Sequence, residues 1–346
     1  MIIVMSHTAT DSQLSAVVQR IQEIGLRAEI THGEDRAVVA VIGGNAYAYR
    51  EAFSHLPAID EIVQISKPYK LASREFQAQD TVFQLAGAVL GGPETVVMAG
   101  PCSVESEEMV VAIARHVRDQ GAQMLRGGAF KPRTSPYSFQ GLGEDGLKML
   151  AVAREETGLG VVTEVVTPGD VDLVARYADM LQLGTRNMQN YALLLEAGRS
   201  GKPILLKRGM SSTVEEWLLA AEYVMSTGNR QVALCERGIR TFEASTRFTL
   251  DLNSVALARE LSHLPVVVDP SQGTGRWSLV RPMALAAVVA GAQGLIVEVH
   301  PTPEEALSDG SQSLDFDGFD RLMEGLRSVR EAMVEAAKPD VAPTSA

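Results

Sequence analysis

Apolar and polar positions alternate along the chain on two length scales. Beyond residue 80, short apolar runs recur, and longer segments with apolar residues at helical spacing separate them. Runs of this kind predict buried strands, and the 3.6-residue spacing between them predicts helices. The eight predicted strands are Val96–Gly100, Met124–Gly128, Gly160–Val165, Met180–Gly184, Pro203–Lys207, Val232–Glu236, Pro265–Pro270 and Gly294–Val299. Eight strands alternating with helices predict a (β/α)8 TIM barrel over residues 80–337.

The first 66 residues show a different pattern. The predicted elements are strand Ile2–Met5, helix Asp11–Gly25, strands Leu26–Thr31 and Ala37–Ile42, helix Ala46–Leu56 and strand Glu61–Ile65. The order βαββαβ predicts a small ferredoxin-like α/β domain. Such a domain serves either ligand binding and regulation or oligomer assembly. Residues 67–79 are predicted to be a polar linker, and residues 338–346 a disordered tail.

Polar residues stand at or just after the ends of the predicted barrel strands. They are Cys102, Arg126, Glu164, Arg186, Lys207, Arg237, Asp269 and Glu298. Because the chemistry of such barrels gathers at the carboxyl ends of the strands, these residues predict a functional site at that face. A single lysine or arginine in such a place is about as often a solvated surface charge. The whole set at strand ends favours a site.

The overall charge of the protein makes the lysines and arginines at the strand ends more informative. The chain has 31 basic and 43 acidic residues, a net charge of −12, and 46% of its residues are apolar. Such a balance argues against a nucleic-acid partner or an anionic membrane surface. Cations gathered at strand ends of an acidic protein therefore indicate small anionic substrates. With two cysteines and neither a signal-like nor a spanning apolar segment, the prediction is a cytoplasmic protein with reduced thiols.

The loop after the second barrel strand has the composition of a phosphate site. Lys131, Arg133 and Thr134 supply two cations and a hydroxyl within four residues, directly after two glycines and Ala129-Phe130. Since the neighbouring strand ends add further cations, two anion pockets are predicted. The GxGxxG match over residues 141–146 is rejected as a dinucleotide site, because no strand precedes it and two acidic residues lie within it.

Three candidate metal ligands come from distant parts of the chain. Cys102 follows the first barrel strand, Glu298 ends the eighth, and Asp309 lies in the loop beyond it. One thiolate with two carboxylates suits a divalent first-row ion. A lone cysteine after a strand is more often a small buried residue, and Cys235 is interpreted in that way.

Taken together, seven motifs resemble the 3-deoxy-D-arabino-heptulosonate-7-phosphate (DAHP) synthases, in the microbial form with an amino-terminal ferredoxin-like domain. They are Met98–Ser103, Lys131–Thr134, Leu183–Arg186, Leu206–Gly209, Cys235–Thr241, Val268–Ser271 and Val297–Pro301. The resemblance covers nearly the whole chain in order. The related 3-deoxy-D-manno-octulosonate-8-phosphate synthases usually lack both the Lys-Pro-Arg-Thr loop and the extra domain, which favours the heptulosonate enzyme.

The resemblance implies an activity: condensation of phosphoenolpyruvate with erythrose 4-phosphate, the first step of the shikimate pathway to aromatic amino acids. It further implies a homotetramer and feedback inhibition by tyrosine or phenylalanine bound to the amino-terminal domain. In the family's pattern, phosphoenolpyruvate would be held by Arg126, Lys131, Arg186, Lys207 and Arg237. Arg133 and Thr134 would hold the sugar phosphate. Lys131 would donate a proton, and Glu164 would position water. Glu164, Lys131 and Lys207 are thus the expected catalytic residues.

The chain departs from the family at one metal ligand. Where the family has Asp-Pro-Ser-His, this chain reads Asp269, Pro270, Ser271, Gln272. A glutamine carbonyl is a weaker and harder metal donor than imidazole. Three interpretations follow. In the first, Cys102, Glu298 and Asp309 hold a divalent metal of the manganese, iron, cobalt or zinc class, with Gln272 or water completing the site; in the second, the enzyme works without metal; in the third, its activity is lost or altered. A retained but weakened metal site is the expectation.

Two other functions stay open at this stage. One is a related enzyme that condenses phosphoenolpyruvate with another aldose phosphate. The other is a barrel that senses a ligand without catalysis. The Lys131–Thr134 loop argues against the first, and the survival of every other site residue argues against the second.

Overall fold

The predicted architecture is confirmed in the computed structural model, which describes residues 1–32, 36–43, 46–64, 67–132 and 135–336. A four-stranded sheet with one α-helix precedes a closed barrel of eight parallel strands. The predicted turn at residues 33–35, the end of the predicted strand at residue 65, the last barrel residue 337 and the tail 338–346 lie outside the described residues. Within the described ranges, no helix has both the length and the apolar character that crossing a bilayer requires.

The amino-terminal domain packs one sheet against one helix. Its elements are β1 (Ile2–Met5), α1 (Asp11–Glu23), β2 (Arg27–His32), β3 (Ala37–Ile42) and β4 (Ile59–Val63). The strands lie in the order β2-β3-β1-β4, all antiparallel to their neighbours. Thr10 begins α1 with a capping box, in which its hydroxyl accepts from Gln13 N and the Gln13 side chain accepts from Thr10 N.

The second predicted helix of this domain is wrong in type. Residues Ala46–Ala52 form a 3₁₀-helix, shorter than the predicted α-helix Ala46–Leu56. Two tyrosines in seven residues give a modest helix propensity, and Pro57 prevents extension into the following strand. A short segment of this kind adopts the tighter helix more readily.

The segment between the domains was predicted to be a polar linker, but part of it is buried against the barrel. Tyr69, Leu71 and Phe76 are buried against the barrel. The Leu71 carbonyl accepts from His263 Nε2 at 2.7 Å, and His263 Nδ1 accepts from Thr81 Oγ1 at 2.6 Å. Burial lowers the pKa of His263 to about 4, so this histidine joins segment to barrel as a neutral ring.

The barrel strands are shorter at several ends than predicted. They are β7 (Val96–Gly100), β8 (Met124–Arg126), β9 (Gly160–Val165), β10 (Met180–Leu183), β11 (Ile204–Lys207), β12 (Val232–Glu236), β13 (Val266–Val268) and β14 (Gly294–Glu298). Each pairs in parallel with its successor, and β14 pairs with β7 from Gly294↔Val96 to Glu298↔Gly100, which closes the barrel.

A hairpin that the sequence pattern did not indicate fills the amino-terminal end of the barrel. It consists of β5 (Phe83–Leu85) and β6 (Ala88–Leu90). Its apolar side chains join the cluster inside the barrel, which also contains Met98 and Cys235. Cys235 is therefore a core residue, as predicted. Since one end is filled with apolar side chains, polar chemistry is confined to the other end.

The helices cover the outside of the barrel, except for the short α8, which lies at its mouth. They are α2 (Glu107–Asp119), α3 (Glu144–Thr157), α4 (Val171–Tyr177), α5 (Tyr191–Arg199), α6 (Val214–Met225), α7 (Leu252–Leu261), α8 (Pro270–Thr274), α9 (Trp277–Val289) and α10 (Phe316–Ala336). Only the first half of the GxGxxG segment is the predicted loop: Gly143 is the N-cap of α3, and residues 144–146 form the first turn of that helix.

The pleat of each strand decides which strand-end residues reach the mouth. Side chains alternate between the barrel interior and the helices with a period of two. Met124, Leu205 and Ile296 belong to the interior cluster. The residues two positions further along these strands are Arg126, Lys207 and Glu298. The same count places Glu164, Gln182, Arg237 and Asp269 on the inward side, whereas Arg208 and Glu236 face the helices.

Candidate active site

A polar cavity of about 260 Å³ opens at the carboxyl end of the barrel. Predicted residues in its lining are Arg126, Lys131, Glu164, Arg186, Lys207, Arg237, Gln272 and Asp309. Cys102 and Glu298 are buried directly behind this lining. Arg133 and Thr134 lie outside the described residues, although Pro132 and Ser135 on either side of them line the cavity. The volume suits small metabolites, and the lining suits anions.

A buried ion pair joins β8 to β14 at the base of the cavity. Arg126 Nη1 donates to Glu298 Oε1 at 2.9 Å, and both side chains are at most 5% exposed. Gln312 Nε2 donates to the other carboxylate oxygen at 2.7 Å. Burial opposes the charge on Glu298, but Arg126 and Lys131 outweigh it and hold its pKa at about 2. Glu298 is therefore an anion at neutral pH.

Lys131 folds back over the end of β7. Its Nζ donates to the Cys102 carbonyl at 3.0 Å and lies 3.1 Å from Cys102 Sγ. A Cβ on Gly128 would lie 2.7 Å from the Lys131 side chain, so this glycine leaves the space that the lysine occupies. Burial works against its charge, but the neighbouring Cys102 and Glu298 groups raise the pKa of Lys131. The lysine is a protonated cation beside the cavity.

A second buried ion pair stands on the opposite wall. Lys207 Nζ donates to Asp269 Oδ2 at 2.5 Å, and both side chains are nearly inaccessible. Asp269 is also the N-cap of α8, where its Oδ1 accepts from Gln272 N at 2.8 Å. Asp269 thus orients both the cation of β11 and the start of the segment that carries Gln272. It was noted in the sequence as a strand-end residue but was not assigned a role.

Outside the barrel wall, a buried charge cluster supports the loop that carries Arg237. Arg208 Nη1 donates to Glu236 Oε2 at 2.9 Å and to Asp251 Oδ2 at 3.0 Å. Glu236 Oε1 in turn accepts from Gly238 N at 2.6 Å. Arg237, between those two residues, packs its guanidinium 4.1 Å from the ring centroid of Phe248. Burial lowers the pKa of Arg237, so an anionic ligand there would be favourable.

Glu164 and Arg186 complete the lining from the third and fourth barrel strands. Gln182 Nε2 donates to Glu164 Oε2 at 3.1 Å. A Cβ on Gly184 would lie 2.0 Å from Glu164 Oε1, so glycine at this position leaves room for the carboxylate. Arg186 lies in the 3₁₀ turn Thr185–Asn187 that follows. An acid and a cation therefore face the same cavity from adjacent strands.

The three predicted metal ligands converge. One donor atom each from Cys102, Glu298 and Asp309 lies within 4.8 Å of the others, and Cys102 Sγ is 3.3 Å from Asp309 Oδ2. Burial raises the pKa of Cys102 to about 12, so without a metal the thiol keeps its proton. This donor set fits a divalent first-row ion, and metal binding would displace that proton.

The side-chain amide of Gln272 directs its nitrogen, and not its oxygen, toward the candidate metal ligands. Its amide nitrogen donates to Glu298 Oε1 at 2.9 Å and to Asp309 Oδ2 at 3.2 Å. Its amide oxygen accepts from Arg237 Nη2 at 3.1 Å. The Gln272 amide therefore presents N–H donors to Glu298 and Asp309, and its own acceptor is engaged by Arg237.

Comparison with known proteins places this geometry in a family. The family model of the DAHP synthetase I family matches residues 75–335, and that of the DAHP synthase ferredoxin-like domain matches residues 1–67. The chain belongs to the DAHP synthetase I family. It is 48% identical over 333 residues to the phospho-2-dehydro-3-deoxyheptonate aldolase of Thermotoga maritima, covering 96% of this chain and 98% of that protein.

Solved structures give the same result for the fold. The crystal structure of that Thermotoga maritima DAHP synthase has a TM-score of 0.77 at 47% identity, covering 96% of this chain and 97% of the other. A truncated form of the Thermotoga maritima enzyme has a TM-score of 0.73 at 49% identity, covering 77% of this chain and 97% of the other.

A more distant sequence relative is a 2-dehydro-3-deoxyphosphooctonate aldolase of Syntrophotalea carbinolica, which is 34% identical, covering 71% of this chain and 95% of that protein. This protein is a 3-deoxy-7-phosphoheptulonate synthase, a transferase that forms a carbon–carbon bond.

Several residues of the site were missed from the sequence. Gln312 holds Glu298, Arg247 lies 3.4 Å from Asp309, and Gln182 holds Glu164. Gln182 has the inward parity of its strand, which would have indicated it. Gln312 and Arg247 lie in long connections without a period, so no sequence signal marked them.

Proposed function

We propose that this DAHP synthase carries out its reaction in the cavity at the barrel mouth, with two anion subsites and a weakened metal site. The reaction joins phosphoenolpyruvate, erythrose 4-phosphate and water to give DAHP and inorganic phosphate, the first step of the shikimate pathway. One observation carries the proposal: five cations, Arg126, Lys131, Arg186, Lys207 and Arg237, line one cavity of a protein whose net charge is −12.

These five cations are assigned to phosphoenolpyruvate. The substrate has a phosphate and a carboxylate, and each is well matched by fixed guanidinium and ammonium donors. Arg126 and Lys207 are each held by one buried carboxylate, which orients them before the substrate arrives. Fixed cations of this kind stabilise charge as it develops in the transition state without a cost of reorganisation.

The second anion subsite is assigned to Arg133 and Thr134. Both would bind the phosphate of erythrose 4-phosphate through the loop that follows β8. The neighbouring residues Pro132, Ser135 and Ser138 line the cavity. A cation and a hydroxyl beside further hydroxyl groups suit a phosphate monoester.

Two residues are assigned to proton and water chemistry. Lys131 donates a proton to the alkoxide that forms when the enol carbon attacks the sugar aldehyde, a role that its place in the cavity lining supports. Glu164, oriented by Gln182, positions the water that adds to the second carbon. Phosphate then leaves with cleavage of its bond to that carbon, and Lys207 holds it through the step.

Cys102, Glu298 and Asp309 are assigned as the ligands of a divalent metal of the manganese, iron, cobalt or zinc class. A metal bound there supplies Lewis-acid polarisation of the sugar aldehyde. Gln272 supports only a weakened site, because its amide nitrogen faces the other ligands. Metal-free operation and altered activity are the alternative outcomes.

The amino-terminal domain is assigned a regulatory role. Tyrosine or phenylalanine bound to residues 1–66 would inhibit the barrel. Contacts between the two domains support this role: Arg230 Nη2 donates to Glu29 Oε2 at 2.7 Å, and Arg27 Nη1 donates to the Ser226 carbonyl at 3.1 Å. We also propose a homotetramer and a cytoplasmic location, following the family's pattern.

The decisive experiment for substrate choice compares two sugars. Purified protein is incubated with phosphoenolpyruvate and either erythrose 4-phosphate or arabinose 5-phosphate, and phosphate release and product mass are measured. The proposal expects the seven-carbon product with the four-carbon sugar. Turnover with arabinose 5-phosphate alone would assign the protein to another sugar, and turnover with neither would favour a sensing barrel.

A further inference from the structure

We propose that the side-chain amide of Gln272 couples the anion pocket to the metal site, so that an anion bound at Arg237 strengthens metal binding. This inference rests on the proposed retention of a divalent metal at Cys102, Glu298 and Asp309. It concerns a glutamine where the family has histidine, and so a property of this chain.

The orientation of the amide is fixed by its surroundings. Two carboxylate oxygens, of Glu298 and Asp309, face one end of the amide at 2.9 and 3.2 Å, and the Arg237 guanidinium faces the other at 3.1 Å. A rotation by 180° would place the amide oxygen against two acceptors and the amide NH₂ against a donor. The charges on both sides therefore select the same orientation.

That orientation is unsuitable for holding a metal. A cation among Cys102, Glu298 and Asp309 would face the Gln272 NH₂ group, which carries positive partial charge and has no lone pair to offer. Rotation would present the amide oxygen, which is a metal ligand. The rotated NH₂ would then point at Arg237 Nη2, with two donors about as close as the present 3.1 Å contact. Metal ligation by Gln272 thus requires Arg237 to lose its acceptor.

An anion in the cavity removes this conflict. Arg237 lines the cavity with Lys207 and Arg186, so a phosphate there provides the guanidinium with new acceptors. The guanidinium can then turn from the amide while it stays stacked on Phe248. The cost of rotating Gln272 falls, and the affinity for the metal rises. By linkage, the metal raises the affinity for the anion by the same factor.

Histidine at position 272 would remove the coupling that depends on the amide. An imidazole offers a ring nitrogen lone pair directly, and no amide has to rotate. Gln272→His is therefore the matched control, since it keeps the general attraction between a bound anion and a bound cation. Only the part of the coupling that depends on the amide should differ between the two proteins.

The test measures Mn²⁺ binding, without turnover. Free Mn²⁺ is followed by its electron paramagnetic resonance signal during titration of the full-length protein and of Gln272→His, each with and without millimolar inorganic phosphate. Protein-free titrations correct for Mn²⁺ bound by phosphate itself. We expect phosphate to raise the Mn²⁺ affinity of the native protein at least ~10-fold more than that of Gln272→His, within the usual range of coupling between sites.

Two results would overturn the inference in distinguishable ways. The same phosphate effect in both proteins would remove the amide's role and leave the metal site standing. Mn²⁺ binding by Gln272→His alone would refute the retained metal site and the coupling with it. If Gln272→His does not fold, Gln272→Met serves as the control, since the methionine side chain is unbranched and has no amide. The phosphate enhancement should then shrink by the same ~10-fold factor.

Discussion

Removing Arg208 tests the buried charge cluster that supports the Arg237 loop. In Arg208→Met, an apolar chain of similar length replaces the guanidinium. Glu236 is completely buried and loses the partner at 2.9 Å that offsets its charge. Asp251, which is 19% exposed, retains access to water and suffers less. The dominant effect should therefore come from an uncompensated carboxylate at Glu236.

The magnitude follows from the cost of an unpaired buried charge. Breaking a buried ion pair by removal of one partner destabilises a protein by about 3–5 kcal/mol, and we expect a loss in that range. Burial already raises the pKa of Glu236, and loss of Arg208 should raise it further. The folded variant then binds a proton that the unfolded chain releases. Its stability should fall as pH rises above the ordinary carboxyl range, so the loss should be greater at pH 8 than at pH 5.5.

The assay is urea unfolding followed by tryptophan fluorescence. Trp217 is buried beside the cluster, and its Nε1 donates to the Leu206 carbonyl at 3.0 Å, so it reports loss of this region. Arg208→Met/Glu236→Gln should recover about 2 kcal/mol of the loss, since no charge remains buried. Arg199→Met, which breaks an exposed pair with Glu196, should change stability by less than about 0.5 kcal/mol. A loss below about 1 kcal/mol in Arg208→Met, or one independent of pH, would show that Glu236 does not carry an uncompensated buried charge in the variant.

Three further predictions concern the site, the domain junction and regulation. Gly184→Ala should lower kcat about 100-fold, because its new methyl group displaces the Glu164 carboxylate. Gly169→Ala should leave kcat unchanged, because its methyl group makes only an ordinary contact, 3.9 Å from Thr167 Oγ1. Equal effects of the two substitutions in steady-state assays would dismiss the role of Glu164. Native protein should lose about 3 kcal/mol of unfolding free energy as pH falls from 6.5 to 4, because unfolding releases His263 from a site that lowers its pKa to about 4. His263→Gln should be less stable at pH 7.5 but should lack this dependence in denaturant titrations. Deletion of residues 1–66 should leave the rate of turnover unchanged and abolish inhibition by tyrosine or phenylalanine. Inhibition of the truncated enzyme would place the effector site in the barrel.

Much of the site could be derived from the sequence because strand parity is a strong constraint. Arg126, Lys207 and Glu298 each stand two positions beyond an interior apolar residue, and so they had to point into the mouth. Cys102 and Asp309 were paired as candidate metal ligands from their residue types and their places after barrel strands, since their separation of 207 positions contains no periodic signal.

The parts that the sequence could not supply depend on tertiary packing. The β5–β6 hairpin has two three-residue strands, too short for a period to show. The Arg208 cluster joins residues of β12 and the start of α7, and its pairing follows from helix placement outside the barrel. The orientation of Gln272 is set by Arg237 on one side and two carboxylates on the other, which no local pattern encodes.

We expect this DAHP synthase to work through a divalent metal held by Cys102, Glu298 and Asp309, with Gln272 beside them. The most direct measurement is turnover of phosphoenolpyruvate with erythrose 4-phosphate, by phosphate release, after EDTA treatment and after re-addition of Mn²⁺. EDTA should abolish turnover, and Mn²⁺ should restore it. Unchanged turnover after EDTA, in a protein shown to be free of bound metal, would rule out a metal-dependent reaction.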